Sequence, residues 1–183
     1  FITPDTVSVT GLTITVCTVS GGGTSAGTYA TSVTLGTVKI MSGATDVTYQ
    51  YDVTTVNGLL TINPATTTVN SAGYNDKYDG NAHGITVTPK VGGSLVKYSL
   101  TNSTDPADYK LTTSPTATDY TAGTTVYFVV TNPNYNPVFG NEQIVINKRV
   151  VALTTATDTK EYDTLPLTNA AWSYDTTGND GFV

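Results

Sequence analysis

The sequence predicts an all-β protein made of tandem antiparallel β-sandwich modules, and three observations carry that expectation. Threonine fills roughly one position in five of the 183 residues, beside 12 tyrosines and many valines, while charged residues make up only 12%. β-branched and aromatic side chains suit a pleated, half-buried surface, and the helix formers Ala, Leu, Glu and Lys are scarce. Apolar and polar residues alternate strictly in many short runs, and no stretch keeps the helical period beyond two turns. Finally, landmark residues recur at one fixed spacing, the signature of a modular array.

The elements follow in chain order. Leu12-Thr13-Ile14-Thr15-Val16 is the first alternating run, with Thr on the exposed phase, and Gly21-Gly22-Gly23 closes it. A longer hairpin is expected around Lys39 to Asp46. Val56-Asn57-Gly58-Leu59 has the composition of a type I′ hairpin turn leading into the strand Leu60-Thr61-Ile62. Asp79-Gly80-Asn81 marks a turn before Ile85-Thr86-Val87-Thr88, and Gly92-Gly93 marks the next. Asn132-Pro133-Asn134 precedes the closing strand around Ile144-Val145-Ile146, and Asp180-Gly181 is a final turn.

Three pairs of landmarks stand 84 residues apart: Tyr78-Asp79 with Tyr162-Asp163, Ile62-Asn63 with Ile146-Asn147, and Tyr51 with Tyr135. A fourth pair, Ala26-Gly27-Thr28 with Ala122-Gly123-Thr124, stands 96 apart, so the first copy carries about a dozen extra residues before Tyr51. Residues 64–148 are then one complete module, 1–63 the C-terminal part of a preceding module, and 149–183 the N-terminal part of a following one. In this reading the chain is a window of a longer array, and 149–183 followed by 1–63 would compose a whole module. Completion of one chain's half by the next chain's, head to tail, is one expectation; covalent continuation is the other.

Composition excludes more chemistry than it permits. A net charge of −6 offers no electrostatic footprint for nucleic acid or an anionic membrane. No apolar run reaches the length of about 18 residues needed to span a bilayer as a helix. There is one histidine, one cysteine and two glutamates, so most catalytic constellations lack their residues, and no enzymatic activity or cofactor is expected. His83 most simply closes the turn Asp79-Gly80-Asn81-Ala82-His83-Gly84. Glu142 and Glu161 fall in different modules and do not make a glycosidase pair. Asp76, Asp79 and Asn81 in one loop, and Asp175, Asn179 and Asp180 in another, carry oxygens suited to calcium, but such residues also populate turns for local reasons. A Lys–Asn cross-link near Asn141, Glu142 and Lys148, or reached from Lys77 or Lys160, is a minor expectation. Cys17 alone makes no internal disulfide and reads as a small buried side chain. Asn102-Ser103-Thr104 matches a glycosylation acceptor, here read as a loop.

The stretch Lys77-Tyr78-Asp79-Gly80-Asn81-Ala82-His83-Gly84-Ile85-Thr86-Val87 resembles the opening of the Ig-like and mucus-binding-associated (MBG-type) tandem repeats of bacterial surface adhesins. Val129 to Tyr135 is similar to that family's late strand and turn, and Ile144 to Arg149 to its closing strand. Lys160-Glu161-Tyr162-Asp163-Thr164-Leu165-Pro166-Leu167-Thr168 resembles a second opening, with Thr164 where Gly is usual, and Asp46 to Ile62 a module ending. Leu165-Pro166-Leu167-Thr168-Asn169 is one residue from a sortase signal, yet the family pattern accounts for it and no apolar span with a basic tail follows. The resemblance implies Ig-like sandwiches, with a β-grasp-like sheet as the alternative, in an extracellular, cell-wall-associated stalk or fibre whose partners are neighbouring modules. A ligand-binding role is the other expectation, with Tyr78 and Trp172 as aromatic platforms for mucin glycans or a protein.

Overall fold

The structure is a computed structural model that describes residues 7–9, 12–174 and 181–183, with side chains described for 19–35, 38–174 and 181–183. The burial of Cys17 and the loop at Asp175, Asn179 and Asp180 therefore lie outside the described residues. Strands hold 48% of the chain. The only helical segments among the described residues are single 3-10 turns at Thr48–Gln50 and Pro106–Asp108. The chain divides into two compact units, residues 1–66 with 133–136, and residues 67–132 with 137–183.

The strands of the first unit are β1 (Val7–Val9), β2 (Leu12–Ser20), β3 (Gly27–Ala30), β4 (Ser32–Ser42), β5 (Thr45–Asp46) and β6 (Leu59–Ile62). β1-β2-β4-β5 form one antiparallel sheet, and β3 pairs with β6 in a separate ribbon. The expected hairpin near Lys39 to Asp46 is present, turning at Gly43 between Ser42 and Thr45. Asp46 fastens it: its carboxylate accepts from the Thr48 amide and hydroxyl, and those bonds hold the carboxyl below its ordinary range. Asn57-Gly58 does not form the expected hairpin. Leu59 pairs with Ala30 instead, and the Thr31 amide donates to the Gly58 carbonyl, so long-range pairing overrides the local turn preference. Among the described side chains Ile40 is this unit's sole buried apolar residue.

The second unit holds β7 (Val69–Ala72), β8 (Tyr74–Lys77), β9 (His83–Gly84), β10 (Thr86–Pro89), β11 (Leu95–Ser99), β12 (Thr116–Ala117), β13 (Thr121–Asn132), β14 (Tyr135–Asn147) from Pro137 onward, β15 (Leu153–Thr155) and β16 (Trp172–Tyr174). β7 pairs with β10 and β9 with β12, making one layer, while β11-β13-β14-β8 make the other. The core lies between them. Ile85 and the β13 residues Val126, Phe128 and Val130 cluster with Tyr98, Ile144 and Ile146, and Val69, Val87, Tyr74 and Tyr78 pack around this cluster. Of these, Ile85, Val87, Ile144 and Ile146 belong to runs whose alternation was read from the sequence.

One feature is not antiparallel. The chain changes layers at Gly73, leaving β10 after Ala72 and joining β14 from Tyr74 onward. A Cβ at Gly73 would run into the Gln143 carbonyl, so only glycine lets the crossing strand lie this close. Beyond the crossing, β8 runs parallel to β14, with Tyr74–Lys77 opposite Ile144–Asn147.

The β15–β16 pair repeats the β7–β10 pair. Leu153 faces Tyr174 as Val69 faces Pro89, an offset of 84 on the first strand and 85 on the second. Of the other landmarks, Ile62 lies in β6 of a two-stranded ribbon and Ile146 in β14 of a four-stranded sheet, whereas Tyr135 opens β14 and Tyr51 follows a 3-10 turn outside any strand.

Ile144 is fully buried, so its truncation leaves a cavity as well as losing transfer energy. Ile144→Ala is expected to cost about 2–5 kcal/mol, read as a lowered urea midpoint with little change in slope. A midpoint within error of the parent's would refute the placement of the core.

Candidate functional site

Two turns of the same construction frame the candidate surfaces. In the first, the Asp79 carboxylate accepts from the Asn81 amide at 2.9 Å, and Gly80 between them adopts φ +81°. In the second, 84 residues on, the Asp163 carboxylate accepts from the Leu165 amide at 3.0 Å, and Thr164 adopts φ +68°. Asp is suited to both because its short side chain bonds the backbone two residues ahead. A β-branched residue is strained in the left-handed region, which glycine enters freely. The departure at Thr164 therefore does not change the turn; it loads it with strain.

In the first turn His83 completes the closure. Its Nε2 lies 2.8 Å from Asp79 Oδ1, and its ring stacks on Tyr74 at 3.7 Å and 9°. The hydrogen bond to His83 first, then those from the Asn81 side chain and amide, hold the Asp79 carboxyl far below the usual carboxylate range. Burial, with the Asp79 and Asp76 carboxylates adding to it, pushes the Tyr74 phenol up. In the second turn Lys160 does the equivalent work, pairing with Asp163 at 2.7 Å and holding its carboxyl low. The oxygens that made this loop a candidate for calcium are engaged locally, Asp76 on the Lys77 amide and Asp79 on Asn81 and His83. Among the described residues no three His, Cys, Asp or Glu side chains gather to hold a metal ion.

The cross-link candidates are dispersed among other partners. Lys148 sits 4.6 Å over the Tyr120 ring, Lys160 pairs with Asp163, and Glu142 accepts from the Ser71 hydroxyl at 2.6 Å. Asn102 is an exposed loop residue, as read.

Arg149, the one arginine, has a role the sequence did not signal. Its Nη1 donates to the Tyr78 carbonyl at 3.0 Å and its Nε to the Gly181 carbonyl at 2.7 Å, while the Gly181 amide donates to the Val150 carbonyl. A planar guanidinium can span two such acceptors at once. It thus fastens the segment after β14 both to the opening turn of residues 64–148 and to the end of the chain.

The two aromatic candidates occupy different settings. Tyr78 is half-buried, packed against the core cluster, and its amide donates to the Asn147 carbonyl. Its counterpart Tyr162 is 92% exposed. Trp172 is 64% exposed on β16, with its ring 6.2 Å from Tyr174, which meets Phe182 edge-on at 5.3 Å. Leu153, Thr155, Asn169, Trp172 and Phe182 line a groove of about 520 Å³ beside them. The register explains this exposure. Trp172 faces Thr155 as Val87 faces Ser71, and Val87 belongs to the inner, core-facing phase of its layer. Trp172 thus stands at a core position of a layer that has no second layer over it among the described residues.

Compared with known protein families, curated proteins and solved structures, the chain matches none. Among the described residues no helix is long and apolar enough to cross a membrane.

Thr164→Gly is expected to raise stability by about 1 kcal/mol by removing left-handed strain, measurable as a shift in the midpoint of denaturation; a loss would contradict the assigned backbone. The Asp79 carboxyl is depressed, so its contribution is fully present above the ordinary carboxylate range and is lost as pH falls through its lowered folded value. Replacing His83 by Phe should move the acid titration of the Asn81 amide resonance toward higher pH. An unchanged titration would show that His83 does not hold Asp79.

Proposed function

We propose that the chain is a non-catalytic structural repeat of an extracellular bacterial surface adhesin, stalk or fibre, working by bearing tension between neighbouring modules. The observation that carries this reading is the parallel β8–β14 ladder. The chain reaches β8 at its N-terminal end, from β7 across Gly73, and leaves β14 at its C-terminal end, and these lie at opposite ends of a parallel pair. Tension along the chain then slides one strand along the other. Sliding loads all the ladder's hydrogen bonds together, whereas peeling breaks them one at a time, so the shear arrangement resists the greater force.

Three further features favour the same reading. The twin Asp turns and the repeated β7–β10 and β15–β16 pairs give the spacing of a tandem array. The Arg149 clamp stiffens the segment that leaves the complete module. Thr-rich, low-charge strands suit an extended scaffold whose long sides face water. The MBG-type resemblance supplies the bacterial surface setting.

A second reading, recognition of mucin glycans or of a host or neighbour-cell protein, draws on the exposed Trp172 and its groove. Binding to mucin that disappears in Trp172→Ala would favour it.

Stretching the chain from its ends in a single-molecule experiment tests the first reading. A discrete rupture is expected, releasing roughly 300 Å of contour for a module of about 85 residues. Asp76→Pro, which deletes an amide from the middle of the ladder, should lower that rupture force well below the parent's. A parent that extends without a discrete rupture, or a force indifferent to Asp76→Pro, would refute the load-bearing role.

A further inference from the structure

The β8–β14 ladder ends in a bond that its backbone does not make. Ile146 lies opposite Asp76 and Asn147 opposite Lys77, and the Tyr78 amide adds one bond beyond them, to the Asn147 carbonyl. The slanted bonds of a parallel pair alternate, so a residue that donates to one neighbour of its partner accepts from the other. Continued in the same register, the ladder would give the Tyr78 carbonyl to the Arg149 amide. Among the described residues no backbone bond joins the two, and β14 has ended at Asn147. The Arg149 side chain takes the place of that amide, its Nη1 donating to the Tyr78 carbonyl at 3.0 Å. The next rung is thus made by a guanidinium, and a charged donor makes the stronger hydrogen bond.

What holds the guanidinium there lies elsewhere in the chain. Its Nε donates to the Gly181 carbonyl at 2.7 Å. Gly181 is buried, and its amide donates to the Val150 carbonyl at 3.1 Å. Its backbone sits at φ +114°, which glycine adopts freely and residues with a side chain rarely do. Val150 and Gly181 therefore form a seat beside the end of the ladder, and the planar fork meets both of its acceptors at once. Without the Gly181 carbonyl a long side chain would be ordered for one bond alone, and its rotamer entropy opposes that. The acceptor on the other side is fixed as well: Tyr78 packs against the core cluster, and the Asp79 turn begins at the next residue.

We propose that Arg149 is a coupling residue, which makes the last rung of the β8–β14 ladder conditional on the seating of Gly181 against Val150. With the seat formed, the fork is held and the ladder is closed beyond Lys77. With the seat lost, the rung goes too, and the ladder frays from this end, Tyr78 first. The mechanical consequence rests on the load-bearing reading. A pull on the chain leaving β14 passes through Val150 and Arg149 before it reaches the ladder, so the state of residues 150–181 regulates the force at which β8 and β14 shear.

Amide hydrogen exchange on the full chain tests the coupling without load. Tyr78, at the end of the ladder, exchanges by local fraying, so its rate senses the rung rather than global stability. Two substitutions 32 residues apart are compared. Arg149→Gln removes the fork; Gly181→Pro can neither take the φ of Gly181 nor donate to Val150. Each is expected to speed exchange of the Tyr78 amide at least about tenfold, the loss of one charge-assisted bond. The double variant should exchange no faster than Arg149→Gln alone, because both substitutions remove the same bond. A Tyr78 rate unchanged in either single variant, or effects that add in the double, overturns the proposal. A parent that extends without a discrete rupture would sink the load-bearing role and leave these rates as they are, so the two fail separately.

Discussion

The core of the second unit depends on the pairing of β8 with β14. A β-layer with one apolar face has no stability until a second layer covers that face, and the cover must stay in register. Here register is set where β8 crosses at Gly73 and lies along β14, placing Tyr74 and Tyr78 at the rim of the core that Ile144 and Ile146 fill. With that ladder in place the inner phases of both layers meet. The segments in which its counterparts are unpaired leave their apolar side chains in solvent, although their residue types and alternation are similar.

Electrostatics in this chain act locally, in keeping with its low charge. The ionised groups that matter hold turns rather than surfaces. Asp46, Asp79 and Asp163 each accept a backbone amide two residues on, and each carboxyl is held low chiefly by a side-chain hydrogen bond, with the amide adding to it. The added partners differ, a hydroxyl from Thr48, an imidazole from His83 and an ammonium from Lys160, while the backbone outcome is common. Turn geometry is thus conserved within the chain through the aspartate, and its neighbour is free to vary. Thr164 demonstrates this by occupying the left-handed position that Gly80 fills without strain.

Much of the fold was legible because strand patterning is a local property. The strands at Leu12–Val16, at Thr86–Thr88 and around Ile144–Ile146, and the turn at Asn132-Pro133-Asn134, follow from alternation and turn chemistry alone. What was not legible depends on partners distant in sequence. Asn57-Gly58 carries a hairpin composition, yet Leu59 is claimed by Ala30. The parallel sense of β8 was hidden because a four-residue strand looks alike in either direction. Gly73 between two short strands was the available signal for a change of layer. Arg149 gave no warning either, since its acceptors are backbone carbonyls, which no residue type announces.

The aromatic candidates show why exposure alone is a poor guide to a binding site. Tyr78 and Tyr162 share a motif, as Val87 and Trp172 share a register position, and within each pair one member is covered and the other bare. Residue chemistry does not separate the pairs, for a Tyr is bare in one and covered in the other. The difference is whether a closing strand lies alongside. A residue chosen for sugar stacking would be expected to stand on the outer phase of its strand, leaving the core intact behind it. Trp172 stands on the inner phase, with Leu153 and Phe182 beside it in the groove where a core would form. Its exposure is therefore that of an inner-phase residue with no second layer over it among the described residues.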